Sequence, residues 1–441
     1  MGELTTMPKY EAYKDSGVEW LGIVPEHWDI SPLFSKATLK SLTNRIDEEL
    51  LSVYLDKGVI RFQDVESKRT NVTSLDLSKY QLVEIGDFVL NNQQAWRGSV
   101  GVSDYQGIVS PAYLILKLSE EINPRFGNYF FRDRNMVSQY LICSKGVGTI
   151  QRNLYWPQLK RVSIALPSLT EQTAIANFLD IKTAQIDEAI AIKGKQIDLL
   201  KERKQIIIQQ AVTQGISYEG QPDAPMKDSG VDWIGKIPEH WQVKRLKYVL
   251  DERNERSKTG EEPLFMMSQI HGLVVRADYH AKAEVAASNV DNKIVYKNDL
   301  VFNKLKAHLG VFFKSNIDFK GLVSPDYAVY KPKAYITDMR YLEVLFRHPR
   351  YIEQFIIRAT GIVEGLIRLY TDDLFDIAVP IAPKDEQIEI LKHIDSESEK
   401  FDIAIKLQIQ QIEKLKEYKT TLINSVVTGK IKVPELDSEI N

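Results

Sequence analysis

The fold of this chain is decided by a stretch that occurs twice: KDSGVEWLGIVPEHW at residues 14–28 and KDSGVDWIGKIPEHW at residues 227–241. Eleven of the fifteen positions are identical, at a displacement of 213 residues. The second half of the chain therefore repeats the first. A repeat unit of this length is too long for a solenoid, so each copy must contain a domain with its own core.

Shorter matches follow in the same order along both copies. Between these matches the copies differ widely, as a comparison of 53–85 with 264–298 shows. Similar scaffolds with different loops predict two related sites that recognise different ligands. The matched pairs include Asp87-Phe-Val-Leu-Asn91 with Asp299-Leu-Val-Phe-Asn303, Ser110-Pro111 with Ser324-Pro325, and Glu171-Gln172 with Glu386-Gln387.

Composition excludes several classes of protein. The 441 residues are 44% hydrophobic and 27% charged, which is typical of a folded globular protein. The single cysteine, Cys143, cannot form an intramolecular disulfide framework or a cysteine zinc site. The first residues do not resemble a signal peptide, and no apolar run approaches the ~20 residues that span a bilayer. We therefore expect a cytoplasmic protein without a membrane partner.

Each copy ends in a long stretch without proline, at 171–213 and 386–428, in which apolar residues recur at alternating spacings of three and four. Such a seam over about five heptads is typical of a coiled coil. Polar residues interrupt both seams at the same heptad positions. The seams are Ala176, Leu179, Ile186, Ile190, Ile197, Leu200, Ile207 and Ala211, interrupted by Thr183, Lys193 and Lys204, and Leu391, Ile394, Phe401, Ile405, Ile412, Leu415, Leu422 and Val426, interrupted by Ser398, Gln408 and Lys419.

Two arrangements of these helices are open. Each helix could pack on its own domain, or the two could pair as an antiparallel coiled coil with a domain at each end and a pseudo-twofold axis. Equal length and matched polar interruptions favour the pair, because polar seam residues fix the register. Gly194 is a weak point that costs ~1 kcal/mol relative to alanine, and Gly215 and Gly429 are placed to end the helices.

The globular part of each copy mixes strands and helices, which predicts an α+β fold with two duplicated domains separated by the long helices. Aromatic and β-branched runs favour strands, and amphipathic patterns favour helices. The predicted elements are strands at 83–90, 108–118, 294–302 and 322–330 and helices at 124–143 and 341–360.

Motifs of catalytic centres are absent from the sequence. It contains no GxxxxGK[ST] phosphate loop, no HExxH, no GxSxG and no histidine–cysteine cluster. His27 and His240 lie at matched positions beside proline and tryptophan, and a turn packed by the tryptophan is favoured over a metal ligand. We therefore expect neither a catalytic residue nor a metal site.

Recognition chemistry recurs in corresponding loops of the two copies. Amide side chains can pair bidentately with adenine, and arginine or lysine can bind guanine. The net charge of −3 does not favour nucleic-acid binding, but acidic residues can face protein partners while a basic face remains. The candidate DNA-binding residues are Arg61, Lys68, Arg69, Asn92, Gln93, Gln94, Arg97 and Arg152 in the first copy and Arg276, Lys282, Lys304, Lys306, His308 and Arg368 in the second.

In its doubled motif order the chain resembles the specificity subunits of type I restriction–modification systems. The resemblance rests on the Asp-Ser-Gly-Val…Trp…Pro-x-x-Trp opening, the Ser-Pro-x-Tyr strand, and the Leu-Pro…Glu-Gln entry and Thr-(x)-Gly exit of each long helix. It implies target recognition domains at 1–170 and 227–385, spacer helices at 171–214 and 386–429, a linker at 215–226 and a tail at 430–441.

The resemblance also implies a function. Each domain would bind one half of an asymmetric, two-part site in double-stranded DNA, with an unspecified spacer set by the helices. Two modification subunits would supply S-adenosylmethionine and methyl transfer, and two restriction subunits would supply cleavage driven by ATP and magnesium. The chain itself would bind no cofactor and would not be an enzyme.

Other classes of protein share some of these features. A coiled-coil adaptor that tethers two protein partners without binding DNA would also carry duplicated domains and could be acidic. A basic face on the domains would decide against it. An enzyme with an unrecognised site would require a pocket in which titratable groups with perturbed pKa values converge.

Overall fold

The structure is a computed structural model, and it describes residues 7–55, 57–64, 76–147, 151–217, 224–279, 288–361 and 368–434. The chain forms two compact units. The first comprises Met1–Gly194 and Gln410–Asn441, and the second comprises Lys195–Ile409. Each long helix therefore contributes one segment to each unit. Within the described residues, no helix combines the length and the hydrophobicity needed to cross a membrane.

The first unit contains a four-stranded antiparallel sheet and several two-stranded ribbons. Its strands are β1 Tyr13–Asp15, β2 Ile23–Pro25, β3 Asp29–Pro32, β4 Ala37–Lys40, β5 Leu51–Tyr54, β6 Gly58–Arg61, β7 Gln81–Val83, β8 Phe88–Asn91, β9 Val100–Val102, β10 Gly107–Val109, β11 Tyr113–Leu118, β12 Ser144–Val147, β13 Gln151–Leu154 and β14 Ser163–Leu166. The sheet has the order β4-β11-β8-β9, and the ribbons pair β1 with β2, β3 with β14, β5 with β6, β7 with β10 and β12 with β13.

Short helices cover this sheet before the first long helix begins. The α-helices are α1 Pro124–Phe131, α2 Arg134–Ile142, α3 Trp156–Leu159 and the long α4 Leu169–Gln214, and 3-10 helices lie at Leu33–Ser35, Phe62–Asp64 and Ala95–Arg97.

The second unit repeats this topology. Its strands are β15 Met226–Asp228, β16 Lys236–Pro238, β17 Gln242–Arg245, β18 Leu250–Glu252, β19 Phe265–Ser268, β20 Gly272–Val275, β21 Lys293–Val295, β22 Leu300–Asn303, β23 Phe312–Lys314, β24 Gly321–Val323, β25 Tyr327–Pro332 and β26 Ala378–Ile381. Its helices are α5 Arg340–Leu345, α6 Pro349–Arg358, α7 Thr371–Phe375 and the long α8 Lys384–Val427, with 3-10 helices at Leu246–Tyr248, Arg276–Asp278 and Lys304–Leu309. The sheet order β18-β25-β22-β23 matches that of the first unit strand for strand, which confirms the duplication and the α+β class.

The prediction of uninterrupted strands was wrong, because each predicted strand is two strands joined by a tight turn. Between β7 and β8 the Asp87 carboxylate accepts a hydrogen bond from the Glu84 amide at 2.8 Å. Between β21 and β22 Asp299 accepts one from the Tyr296 amide at the same distance. A buried aspartate that caps its own turn allows the chain to reverse within an otherwise apolar run.

The two short helices predicted at 124–143 and 341–360 are likewise interrupted, so that each is a pair of helices. In the first copy Asp133 is the N-cap of α2, because its carboxylate accepts a hydrogen bond from the Asn135 backbone amide at 2.9 Å. In the second copy His348 caps α6, and Pro349 occupies its first turn. The caps and the proline both favour a new helix start over continuation.

The long helices pair antiparallel within each unit. In the first unit Asp187 of α4 lies 2.7 Å from Lys419 of α8, and Lys193 of α4 donates a hydrogen bond to Gln411 of α8. Residues further along α4 therefore contact residues earlier in α8, as an antiparallel pair requires. In the second unit Lys204 lies 2.8 Å from Asp402. Three of the predicted polar interruptions, Lys193, Lys204 and Lys419, thus bind polar side chains across the seam.

The predicted seam residues lie on the covered side of both helices. Nine of them are buried: Ala176, Leu179, Ile186, Ile197, Ala211, Leu391, Ile394, Leu422 and Val426. The half-buried seam residues are Ile190, Leu200, Ile207, Phe401, Ile405, Ile412 and Leu415.

Each long helix begins against the tryptophan of its own opening motif. Trp28 is buried, and its Nε1 donates to Glu171 Oε1 at 3.2 Å, while His27 Nε2 lies 2.8 Å from Glu171 Oε2. In the second unit Glu386 binds Trp241 and His240 in the same way, at 3.0 and 2.7 Å. Both histidines therefore belong to the helix entry.

Candidate nucleic-acid interface

The first candidate loop, 91–98, is fixed to the sheet by backbone hydrogen bonds. The Asn92 amide donates to the Ala112 carbonyl at 3.1 Å, and Ala95 is completely buried. A 3-10 turn over Ala95–Arg97 follows, and Gly98 ends it with φ of 100°, a conformation that favours glycine. The turn leaves Gln93 and Arg97 exposed and Trp96 half-exposed.

The segment that carries Arg152 reaches the 91–98 loop through the β12–β13 hairpin. The Leu154 amide donates to the Asn92 carbonyl at 3.0 Å and so ties the hairpin to the loop. The Arg152 guanidinium lies 6.0 Å from the centroid of the Trp96 ring, and the Arg97 guanidinium lies 4.5 Å from it. Two arginines that are 55 positions apart in the sequence therefore converge on one indole.

A second cation–aromatic contact lies on the same hairpin. Lys145 Nζ is 3.7 Å from the centroid of the Tyr155 ring, and Tyr155 is itself exposed. Trp96, Lys145 and Tyr155 were not among the predicted DNA-binding residues. The signal that could have found them is the placement of aromatic residues among basic ones in matched loops, which is common in nucleic-acid-binding surfaces.

The second unit joins the corresponding segments by the same backbone bond. The Leu369 amide donates to the Lys304 carbonyl at 3.1 Å, and Arg368 forms a bridge with Thr360 through two 2.8 Å hydrogen bonds. The side chains differ from those of the first unit. Arg368 lies 3.8 Å from Asp326, and Lys306 is exposed.

An acidic residue lies between two lysines beside this second loop. Glu252 Oε1 is 3.4 Å from Lys293 Nζ and 4.0 Å from Lys304 Nζ. Burial, opposed by Glu252 and reinforced by the charge on Lys304, lowers the pKa of Lys293. This cluster has no counterpart in the first copy, where the position that matches Lys293 is occupied by Gln81.

The other predicted residues lie in different surroundings. Asn92 Oδ1 is buried without a hydrogen-bond partner among the described residues. Gln94 supports the loop, since its carbonyl accepts from the Arg97 amide at 2.9 Å. Arg61 lies 3.4 Å from Glu49, and its guanidinium carbon lies over the Tyr105 ring, 5.1 Å from the centroid.

Of the remaining predicted DNA-binding residues, one begins a turn and the others lie wholly or partly outside the described residues. The Arg276 amide donates to the Leu264 carbonyl at 2.8 Å and begins a 3-10 turn. Lys68, Arg69 and Lys282 lie outside the described residues, as does the side chain of His308.

A cleft of about 950 Å³ in the first unit extends from the 91–98 loop to the long helices. Asp180 and one of the bases, Arg125, bind each other, and Lys419 binds Asp187. With five basic and three acidic side chains, the lining has a small positive excess, which fits an anionic ligand better than a cationic one. The basic side chains of the cleft are Arg97, Arg125, Arg132, Arg134 and Lys419, and the acidic ones are Asp104, Asp133 and Asp180.

Comparison with known proteins identifies relatives along most of the chain. Residues 38–202 match the family model described as type I restriction modification DNA specificity domain. The putative type I restriction enzyme MjaX specificity subunit of Methanocaldococcus jannaschii is 24% identical, over 94% of this chain and 96% of that protein. The EcoKI specificity subunit of Escherichia coli is 22% identical, over 85% and 82% respectively.

Solved structures share the fold. A chain from a study of the assembly and conformational transition of the type I R-M system superimposes with a TM-score of 0.62 and 16% identity, covering 92% of this chain and 98% of that chain. The HsdS subunit from Thermoanaerobacter tengcongensis superimposes with a TM-score of 0.54 and 15% identity, with the same coverage.

Proposed function

We propose that this chain, which belongs to the specificity subunits of type I restriction–modification systems, reads an asymmetric two-part sequence in double-stranded DNA. Each domain reads one half-site, and the paired helices set the unspecified spacer. The observation that carries the proposal is the recurring junction of loop and hairpin. The same backbone bond, from Leu154 to Asn92 and from Leu369 to Lys304, holds different side chains in the two copies.

These side chains suit base edges and phosphates. Arginine presents a planar fork of donors that fits the O6 and N7 acceptors of guanine, and a glutamine amide can pair with adenine. Lysine acts as a point charge and binds phosphate or guanine with less geometric demand. Arg97 and Gln93 of the first copy, and Lys304 and Lys306 of the second, are thus expected to select different half-sites.

A specificity subunit is not an enzyme, and the chemistry belongs to its partners in this proposal. Two modification subunits carry S-adenosylmethionine, and two restriction subunits carry ATP and magnesium. This chain binds no cofactor of its own. The complex works on DNA in the cytoplasm.

The adaptor hypothesis is not favoured. The relatives of this chain are named as specificity subunits of restriction enzymes. The cleft beside the 91–98 loop of the first unit carries more basic than acidic side chains. An adaptor without a DNA ligand gives no reason for two arginines to gather on a half-exposed indole in the 91–98 loop.

The proposal is tested by expressing the chain with its modification subunit and mapping modified bases on genomic DNA. We expect one two-part motif with a fixed spacer, which disappears when this chain is deleted. Modification that continues unchanged without this chain, together with failure of the complex to bind DNA, would overturn the proposal and return the adaptor hypothesis.

A further inference from the structure

We propose that Arg340 and Asp395 are positioning residues that fix the orientation of the second domain on α8 and so restrict the spacer length that the complex accepts. The inference rests on the proposed function and deepens it, since it names a contact that makes the spacing selective. It follows from an ion pair that both units contain and from neighbouring contacts beside the pair of the first unit.

The same arginine–aspartate pair joins domain and long helix in each unit. In the first unit Arg125 Nε of α1 donates to Asp180 Oδ2 of α4 at 2.9 Å. In the second unit Arg340 of α5 binds both carboxylate oxygens of Asp395 in α8, and its Nη1 donates to Oδ2 at 2.7 Å. Both partners recur at a displacement of 215 residues, whereas the candidate reading loops of the two copies differ. The pair therefore belongs to the shared scaffold.

The pair lies further along α8 than another polar attachment of the second domain. Gln387 is buried in the first turn of α8, and its Nε2 donates to the Tyr335 carbonyl at 2.8 Å. Asp395 follows eight positions later, about 12 Å along the helix axis. A single attachment at the start of the helix would let the domain tilt about that point. A second attachment at this distance opposes the tilt.

Apolar packing also holds α8 on the second domain, but it is not directional. Ile390 and Ile394 are buried in the core of the second unit. An arginine that binds both oxygens of a carboxylate adds geometric specificity to the contact. Exposed ion pairs contribute little to stability, so we assign the duplicated pair to orientation rather than to stability.

The first unit has two further polar contacts beside its pair. Tyr129 donates to Asp180 Oδ1 at 2.7 Å, and the buried Asn424 of α8 donates to the Asp133 carboxylate at 3.0 Å. At the positions equivalent to Tyr129, Asp133 and Asn424 the second unit has Val344, His348 and Gln209. The last two of these line a cavity of about 350 Å³. The orientation of the second domain therefore depends more strongly on its arginine–aspartate pair than that of the first domain does.

Spacer selection is the property that this orientation controls. One additional base pair moves the next half-site by about 3.4 Å and turns it by about 35° around the DNA axis. A domain that cannot tilt on its helix cannot follow this movement, whereas a domain that tilts follows part of it. The bases read within a half-site are selected by the loops and do not depend on the tilt.

The test measures binding of the complex with the modification subunit to duplexes that carry its mapped motif. The spacer is unchanged, shortened by one base pair or lengthened by one base pair, and each half-site is also tested with single-base changes. For the wild type we expect either change of spacer to weaken binding about 5- to 150-fold, at least the effect of one mismatched base pair. Arg340→Ala should reduce this spacer penalty about 2- to 5-fold, the range of an exposed ion pair, and should leave the base preferences unchanged.

The first unit supplies a matched control. Arg125→Ala should reduce the spacer penalty less than Arg340→Ala does. Tyr129 and Asn424 would still hold the first domain to the long helices. Exchange of the two charges in the second unit, Arg340→Asp with Asp395→Arg, should restore the spacer penalty.

A second control separates orientation from stability. Arg245→Ala removes another exposed ion pair of the second domain, in which Arg245 Nη1 lies 3.0 Å from Asp376 Oδ1, and it should leave the spacer penalty unchanged. The inference is overturned if Arg340→Ala weakens binding to all spacer lengths equally, or if Arg245→Ala reduces the penalty to the same extent. A wild-type complex without a two-part motif of fixed spacer would instead refute the proposed function.

Discussion

Replacing Asn424 with alanine should destabilise the first unit by about 3 kcal/mol. The Asn424 amide donates to both carboxylate oxygens of Asp133, at 3.0 and 3.1 Å, and both side chains are buried. Asp133 also caps α2 through the Asn135 amide, so its carboxylate must remain in place. A hydrogen bond to a charged group contributes about 1.5 to 3 kcal/mol, and a buried carboxylate that loses such partners carries the cost of its desolvation.

The assay is urea denaturation of the full chain, combined with hydrogen exchange in residues 134–142 to assign the loss to the first unit. The matched control is Gln209→Ala in the second unit. Gln209 occupies the position equivalent to Asn424, but it is half-buried and lines a cavity with His348. We expect this control to cost less than about 1 kcal/mol. If Asn424→Ala lowers the free energy of unfolding by about 1 kcal/mol or less, or if both variants lower it equally, the reasoning is refuted.

Three further predictions concern the helix pair and the second domain. Gly194→Ala should stabilise the chain by about 1 kcal/mol in thermal denaturation, because among the described residues only the helix's own neighbouring backbone lies within 4 Å of the added methyl group. Gly429→Ala should destabilise the chain, since φ is +75° there and the new Cβ would lie 2.4 Å from a proline carbon. A double-mutant cycle on Lys204 and Asp402 should give a coupling energy of about 0.2 to 1 kcal/mol that falls as salt is added, and a salt-independent value would contradict an exposed ion pair. Burial lowers the pKa of Lys293 below its ordinary 10.5, so that just below pH 10.5 the unfolded chain binds more protons than the folded chain. The wild type should therefore gain stability relative to Lys293→Gln as the pH rises towards 10.5. Denaturation at several pH values would show no such relative gain if the lysine titrates normally.

Much of the fold could be predicted because the sequence contains two copies of the same scaffold. The repeated opening motif and the seam spacing predicted the duplicated scaffold and the antiparallel helices, since both depend on local periodicity. The polar seam residues Lys204 and Lys419 are informative for the same reason, because each binds an aspartate across the seam. The breaks within strands and short helices escaped prediction, since capping by Asp87 and Asp133 depends on geometry that an apolar run conceals.

The candidate site could be predicted only in part. Matched loops drew attention to Arg97 and Arg152, but their convergence on Trp96 depends on how the hairpin folds back over 55 positions. Asn92 was chosen for its amide, yet its amide oxygen is buried. Residue type thus predicted the chemistry of the site, whereas the direction in which each side chain points could be learned only from the structure.

The most direct test of the central claim is replacement of residues 264–375 by the corresponding segment of a relative with a different target. Modified bases would then be mapped in the complex with the modification subunit. If each domain reads one half-site and the helices set the spacer, half of the motif should change while the other half and the spacer stay the same. A motif in which both halves change, or in which neither does, would contradict the account.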